Sequence, residues 1–316
     1  MAPPSADDFD LAVRGVCPVL ETPFGDDGAV DVEGFGQIVG HVLDSGVSCV
    51  MWPGFASESY KLSDSERILL RRHLIEQVRS SNRWVIISVT QHATRLALDD
   101  AVAAADAGAH AINVLPPYFL SPSRDAVLEH LRAVLAAVAP LAVVVQYAPG
   151  LAPAPIDSAD LTKLAAEHQN LRMVKVDSAW AGPTIAALRR GEPPLASMVG
   201  YAGITMIDSL RQGARGVQPG CSFIEIYQRI WQMWVEGRTG EAARLHHRLL
   251  PYVASWMEEI ELIIQAEKTI SMQRGWIRSD HCRAPGRHLS TAESMAVSRF
   301  LDEFADLLAD VSHGGA

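Results

Sequence analysis

A chain of 316 residues is long enough for one large domain or two modest ones, and 48% hydrophobic against 20% charged residues is ordinary for a globular protein. The formal charge of −10, with basic residues scattered along the chain, argues against a nucleic-acid backbone or an anionic membrane surface as partner. Cys17, Cys49, Cys221 and Cys282 lie far apart with no CxxC pair, which suits a reducing, cytoplasmic setting better than a disulfide framework or a zinc site.

Met1 to Asp10 lacks the basic-then-apolar order of a signal peptide and reads as a loose N-terminal arm, residues 1–12; Ser312 to Ala316 reads as a frayed tail. No apolar run is long enough to span a bilayer. From there, short apolar runs alternate with amphipathic stretches: Val16–Leu20, Ser48–Trp52, Trp84–Val89, Ala111–Leu115, Leu141–Gln146, Leu171–Val176, Ala196–Val199 and Ala214–Val217. Helix starts are marked by the capping box Ser63-Asp64-Ser65-Glu66 and by Thr94, Ser123 and Asp157, and helix ends by Gly46 and Gly108. Eight βα units in succession predict an α/β fold, a (β/α)8 TIM barrel over residues 13–238. A doubly wound sheet is the competing architecture, but neither GxGxxG nor GxxxxGK[ST] occurs.

After Gly240 the pattern is helical only, over about Glu241–Leu250, Tyr252–Arg274 following Pro251, and Thr291–Leu308 opened by the capping box Ser290-Thr291-Ala292-Glu293. Residues 239–312 are therefore expected to form a C-terminal helical extension, with Gly275–Leu289 as a loop.

Active groups of such a barrel come from the C-terminal ends of its strands. Lys175 lies near the end of the sixth run, where burial of an ammonium is costly and lowers a lysine's pKa, producing an amine able to form a Schiff base. A lysine there can equally snorkel to water or pair with Asp177. Tyr147 precedes Lys175 by 28 positions (175 − 147), about one βαβ unit, which predicts neighbouring strands and a phenol able to shuttle protons. Gly200, Tyr201 and Gly203 could bring backbone N–H groups to a substrate carboxylate, with Ser57 beside Ala56 adding a hydroxyl. Turn geometry alone also accounts for those residues. His92 is the one histidine at a strand end and has no partner at ligand spacing, so no metal is expected.

These motifs are similar to a known family. Pro18-Val19-Leu20-Glu21-Thr22-Pro23-Phe24, Leu62-Ser63-Asp64-Ser65-Glu66-Arg67, Pro116-Pro117-Tyr118-Phe119, Tyr147-Ala148-Pro149, Val174-Lys175-Val176-Asp177 and Gly213-Ala214-Arg215-Gly216 resemble the dihydrodipicolinate synthase and N-acetylneuraminate lyase family of lysine-dependent aldolases and dehydratases. The resemblance implies a barrel with C-terminal helices, a homotetramer or homodimer, Lys175 as Schiff-base residue, Tyr147 as catalytic tyrosine, and no cofactor. The chain departs from the family pattern at Gly54-Phe55-Ala56-Ser57-Glu58, where Phe55 and Ala56 replace relay hydroxyls, and at Phe119, where synthases carry a second tyrosine. Its Ser57-Glu58 loop, its Gln146-Tyr147-Ala148-Pro149 stretch and Lys175-Val176-Asp177 look more like the sugar-acid branch.

The expected function is thus a lyase on a 2-oxo acid, pyruvate-type or a 3-deoxy-2-oxo sugar acid. Two alternatives stand beside it: a catalytically silent barrel that binds a keto acid, and a metal-dependent lyase using His92 with Glu21.

Overall fold

β-branched runs between capped helices become short parallel strands, each followed by a helix. The computed structural model describes residues 6–81 and 83–308. In chain order the elements are α1 (Ala6–Ala12), β1 (Gly15–Val16), α2 (Val32–Asp44), β2 (Cys49–Trp52), α3 (Asp64–Arg79), β3 (Trp84–Val89) and α4 (Thr94–Ala107). Then follow β4 (Ala111–Val114), α5 (Arg124–Val138), β5 (Ala142–Tyr147), α6 (Ser158–Glu167), β6 (Leu171–Val176), α7 (Ala181–Arg190) and β7 (Ala196–Val199). The last are α8 (Met206–Gln212), β8 (Gly216–Val217), α9 (Ile224–Val235), α10 (Thr239–Trp256), α11 (Ile260–Gln273), α12 (Thr291–Glu303) and α13 (Ala305–Leu308).

The strands form one eight-stranded sheet in the order β1-β8-β7-β6-β5-β4-β3-β2. Its edges β1 and β2 come together: Ser48 Oγ donates to the Arg14 carbonyl at 3.0 Å, and Gln218 Nε2 reaches both Cys17 Sγ (3.4 Å) and Met51 Sδ (3.6 Å). Curled in this way, the sheet is the (β/α)8 barrel that the alternation predicts. β1 is shorter than the apolar run around it because Pro18 has no N–H for the ladder.

Contacts divide the chain into two units. The first holds residues 1–17, 48–51 and 82–218, hence nearly all of the sheet and α1 with α4–α8. Buried valines and isoleucines line both faces of its strands, as full coverage of a parallel sheet requires. Ala6–Ala12 of the expected arm is helical, with Phe9 edge-on to Trp84 at 5.9 Å and Asp10 paired to Arg172 and Arg215. The rest of that arm, Met1–Ser5, and the expected tail, Ser312–Ala316, lie outside the described residues.

The second unit holds residues 18–47, 52–81 and 219–316, with α2, α3 and the C-terminal helices α9–α13. Its aromatic core joins Phe223, Tyr252, Trp256, Phe300 and Phe304 through ring contacts of 5.1–6.2 Å. Pro251 does not end a helix as its chemistry suggests: α10 runs through it to Trp256. Burial of Leu249, Val253 and Trp256 on one face offsets the missing hydrogen bond. Thr94 is likewise the first residue of α4 rather than its cap, since its hydroxyl is taken by His130 Nδ1 at 3.1 Å.

Candidate active site

Strand register decides which side chains share the barrel interior. Ser88, Asn113, Gln146 and Lys175 are each the next-to-last residue of β3, β4, β5 and β6. Ser88 pairs with Asn113, and Gln146 pairs with Lys175. Asn113 pairs with Val144, two residues below Gln146 on the same face, so the barrel's stagger brings Asn113 and Gln146 together on the diagonal. All four are buried.

Lys175 is 4% exposed, and its Nζ stands 3.6 Å from Asp177 Oδ2. That carboxylate is fixed from two sides: Gln146 Nε2 donates to Oδ2 at 2.6 Å, and the Tyr201 N–H donates to Oδ1 at 2.8 Å. The second donor depends on an unusual turn after β7, in which Tyr201 (φ 51°), Ala202 (φ 50°) and Gly203 (φ 70°) are all left-handed. Left-handed backbone costs about 1–2 kcal/mol for each non-glycine residue, so packing around Asp177 has to hold the turn in place. Gly200 is obligatory for a related reason, because a Cβ there would run into the Asp177 carboxylate and stand 3.0 Å from Lys175 Cε.

The expected site residues divide by unit. Lys175, Tyr147, Gly200, Tyr201 and Gly203 belong to the first, Ala56 and Ser57 to the second. Tyr147, the last residue of β5, pairs with Val176, one step past the Gln146–Lys175 pair. There it is half-buried, and burial, followed by the charge of Asp157 at the head of α6, pushes its phenol up. The N–H groups of the β7 turn are engaged within the protein: Gly200 donates to the Val176 carbonyl, Tyr201 to Asp177, and Gly203 to the Gly200 carbonyl. Ser57 sits with Ala56 in a 3-10 turn, where its hydroxyl donates to the Leu20 carbonyl and accepts from the Gly54 N–H at 2.8 Å. His92 packs edge-on to Tyr118 at 4.8 Å, and Glu21 is buried in the second unit.

Gln146, Asn113 and Ser88 are the site residues that motif reading passed over. Their signal is present in the chain, as one polar residue near the end of each otherwise apolar run.

The second unit buries a different set of charges. Lys268 is fully buried, paired with Glu58, donating to the His281 carbonyl at 3.1 Å and lying 4.3 Å over the Phe24 ring. Glu58 also holds Lys61 at 2.8 Å. Burial, with Glu21 adding repulsion, pushes the Glu267 carboxyl up to about 8, while the Cys221 N–H donates to it at 3.2 Å. Burial raises Glu21 as well. Gly220 admits no Cβ because the Glu267 carboxylate occupies that space.

With this geometry established, comparison with known proteins is informative. The profile of the dihydrodipicolinate synthetase family matches residues 12–304. An L-2-keto-3-deoxyarabonate dehydratase of Azospirillum brasilense is 27% identical over 298 residues, covering 92% of this chain and 94% of that protein. A 4-hydroxy-tetrahydrodipicolinate synthase of Streptomyces coelicolor is 28% identical over 75% of this chain and 78% of its own length. Among solved structures, a dihydrodipicolinate synthase from Rhodopseudomonas palustris superposes with a TM-score of 0.85 at 21% identity, covering 92% of this chain and 97% of that one, which establishes the shared fold. With a family match spanning nearly its whole length, the chain belongs to the dihydrodipicolinate synthetase family of aldolase- and dehydratase-type lyases.

Proposed function

We propose that the chain forms a Schiff base between Lys175 and the carbonyl of a 2-oxo acid, and that it dehydrates a 3-deoxy-2-oxo sugar acid. The observation that carries this reading is the buried Lys175 amine beside a carboxylate whose two oxygens are both held. The dehydratase relative, which matches 92% of the chain, supports dehydration over aldol cleavage.

In this reading the amine attacks C2 of the substrate, and the carbinolamine loses water to give an iminium ion. Its positive nitrogen withdraws electrons from C3, so a base can remove a C3 proton and leave an enamine. The enamine pair then expels the C4 hydroxyl, which takes up a proton and departs as water. Loss of a proton from C5 and protonation at C3 turn the C5 alcohol, by way of its enol, into a carbonyl, and water at C2 releases the dioxo acid and the free Lys175 amine. Asp177 is the group placed to carry these protons, since it lies beside the reacting nitrogen and neutral donors keep its oxygens oriented. Tyr147, at the end of the neighbouring strand, is the phenol proposed to exchange protons as the carbinolamine forms and loses water. A homotetramer or homodimer in a cytoplasmic setting completes the reading; no helix among the described residues is long and apolar enough to cross a membrane.

Product analysis on a panel of 3-deoxy-2-oxo pentonates and hexonates tests it. The expected product is a dioxo acid without pyruvate. Pyruvate with an aldehyde would reassign the enzyme to aldol cleavage, and no turnover of any member, with ligand-induced thermal stabilisation alone, would make it a binding protein.

A further inference from the structure

Asp177, just past β6, is the end of a hydrogen-bond chain that begins three strands away, on β3, and takes its direction from the chemistry of its ends. An ionised carboxylate only accepts, so Gln146 must present its NH2 to Asp177, at 2.6 Å. That leaves Gln146 Oε1 facing Asn113, whose own NH2 donates to it at 3.0 Å and to Ser88 Oγ at 3.1 Å. The far end is a hydroxyl, which gives or takes a hydrogen bond equally well and imposes no direction. In this orientation the buried Asn113 Oδ1 accepts no hydrogen bond among the described residues. An acceptor is left unsatisfied so that both amides point the right way at the Asp177 end.

We infer that Asn113, fully buried and bonded to Gln146 rather than to Asp177 itself, is a positioning residue: by pinning Gln146 Oε1 it keeps a donor on Asp177 and so holds that carboxylate ready to accept a proton from the reacting centre. The inference rests on the Schiff-base reading. Around the carboxylate, among the described residues, the charged neighbour is Lys175 from its own element; β5 supplies neutral Gln146, and the turn after β7 supplies a backbone N–H. A carboxylate that loses a donor holds its proton more tightly, so weakening the chain anywhere along its length moves the acid side of the reaction to higher pH.

The test measures the rate of imine formation with pyruvate across pH, trapped with cyanoborohydride and read by mass spectrometry. Asn113→Leu is expected to move the acid limb up by about one pH unit, the effect of one charge-assisted hydrogen bond, and Gln146→Leu to do the same. In the double variant the Asn113 change should add nothing, since the chain is already cut. An unmoved limb in Asn113→Leu, even with a lowered melting temperature, overturns the inference, as does a shift that adds fully to that of Gln146→Leu. Should Asn113→Leu not fold, Asn113→Asp serves: its acceptor-only side chain attracts the Gln146 NH2 and turns the amide oxygen toward Asp177, which predicts a shift in the same direction. A wild-type protein that gives no Lys175 adduct at any pH removes the Schiff-base reading itself, a result distinct from an adduct whose pH limb ignores Asn113.

Discussion

Among the described residues Lys175 and Lys268 are both buried, and they are buried differently. Lys268 in the second unit is closed on every side by the Glu58 carboxylate, the His281 carbonyl and the Phe24 ring. Lys175 in the first unit faces one carboxylate at 3.6 Å, beyond hydrogen-bond distance, and that carboxylate is already held by Gln146 and Tyr201. A lysine with strong partners all round is committed to the fold. One with a single loose partner keeps its amine available to a carbonyl. Burial alone therefore does not mark a reactive lysine; the manner in which its donors are used does.

The comparison breaks most visibly under substitution. Lys175→Ala should lower turnover by at least about a thousandfold while costing less stability than loss of Lys268, because Asp177 keeps the Gln146 and Tyr201 donors. Lys268→Met should do the reverse: it strips Glu58 of a fully buried partner and is expected to cost about 3–5 kcal/mol by urea titration, with the remaining folded protein still forming an imine at Lys175. If Lys268→Met were the variant that lost imine formation at full stability, the two roles would have to be exchanged.

The second unit also carries a pH signature that the first does not need. Glu267 keeps its proton in the folded state up to about pH 8, against 4.5 as its ordinary value. Between those limits the unfolded chain is ionised there and the folded chain is not, so the contribution of Glu267 to stability is fully present below about pH 4.5 and is lost as pH rises toward 8. One such group contributes a slope of about 1.4 kcal/mol per pH unit. Glu267→Gln should flatten that slope between pH 5.5 and 7.5 and raise stability at the upper end, as measured by urea unfolding at both values.

The smallest effect on the reaction is expected at Tyr147. Tyr147→Phe should slow imine formation by about a hundredfold, the low end of general acid–base catalysis, with Lys175 still reactive. A change of less than about twofold would remove the phenol from the proton-transfer groups.

Tyr147 also shows how far the chain could be read before it was folded. The spacing of 28 to Lys175 established neighbouring strands, but a separation of one βαβ unit cannot decide which of Gln146 and Tyr147 pairs in register with the lysine; the pair is Gln146. That depends on register, and a shift of one residue reverses the faces. Register is set by the stagger of the closed barrel, which no local pattern in the chain specifies. The strand runs, the capping boxes at Ser63 and Ser290 and the placing of Lys175 were all readable, because each is a local statement about apolar burial or an unpaired N–H group. Helix α10 passing through Pro251 was not, since burial of residues on either side of the proline outweighs its local cost. Ser88, Asn113 and Gln146 fall in between: each is visible as an isolated polar residue in an apolar run, yet only pairing across strands reveals that the three connect.

The most direct measurement is borohydride reduction in the presence of pyruvate, followed by peptide mapping that scores Lys175 and Lys268 in the same digest. The account predicts an adduct on Lys175 and unmodified Lys268. Modification of Lys268 with Lys175 untouched, or of neither, would contradict it.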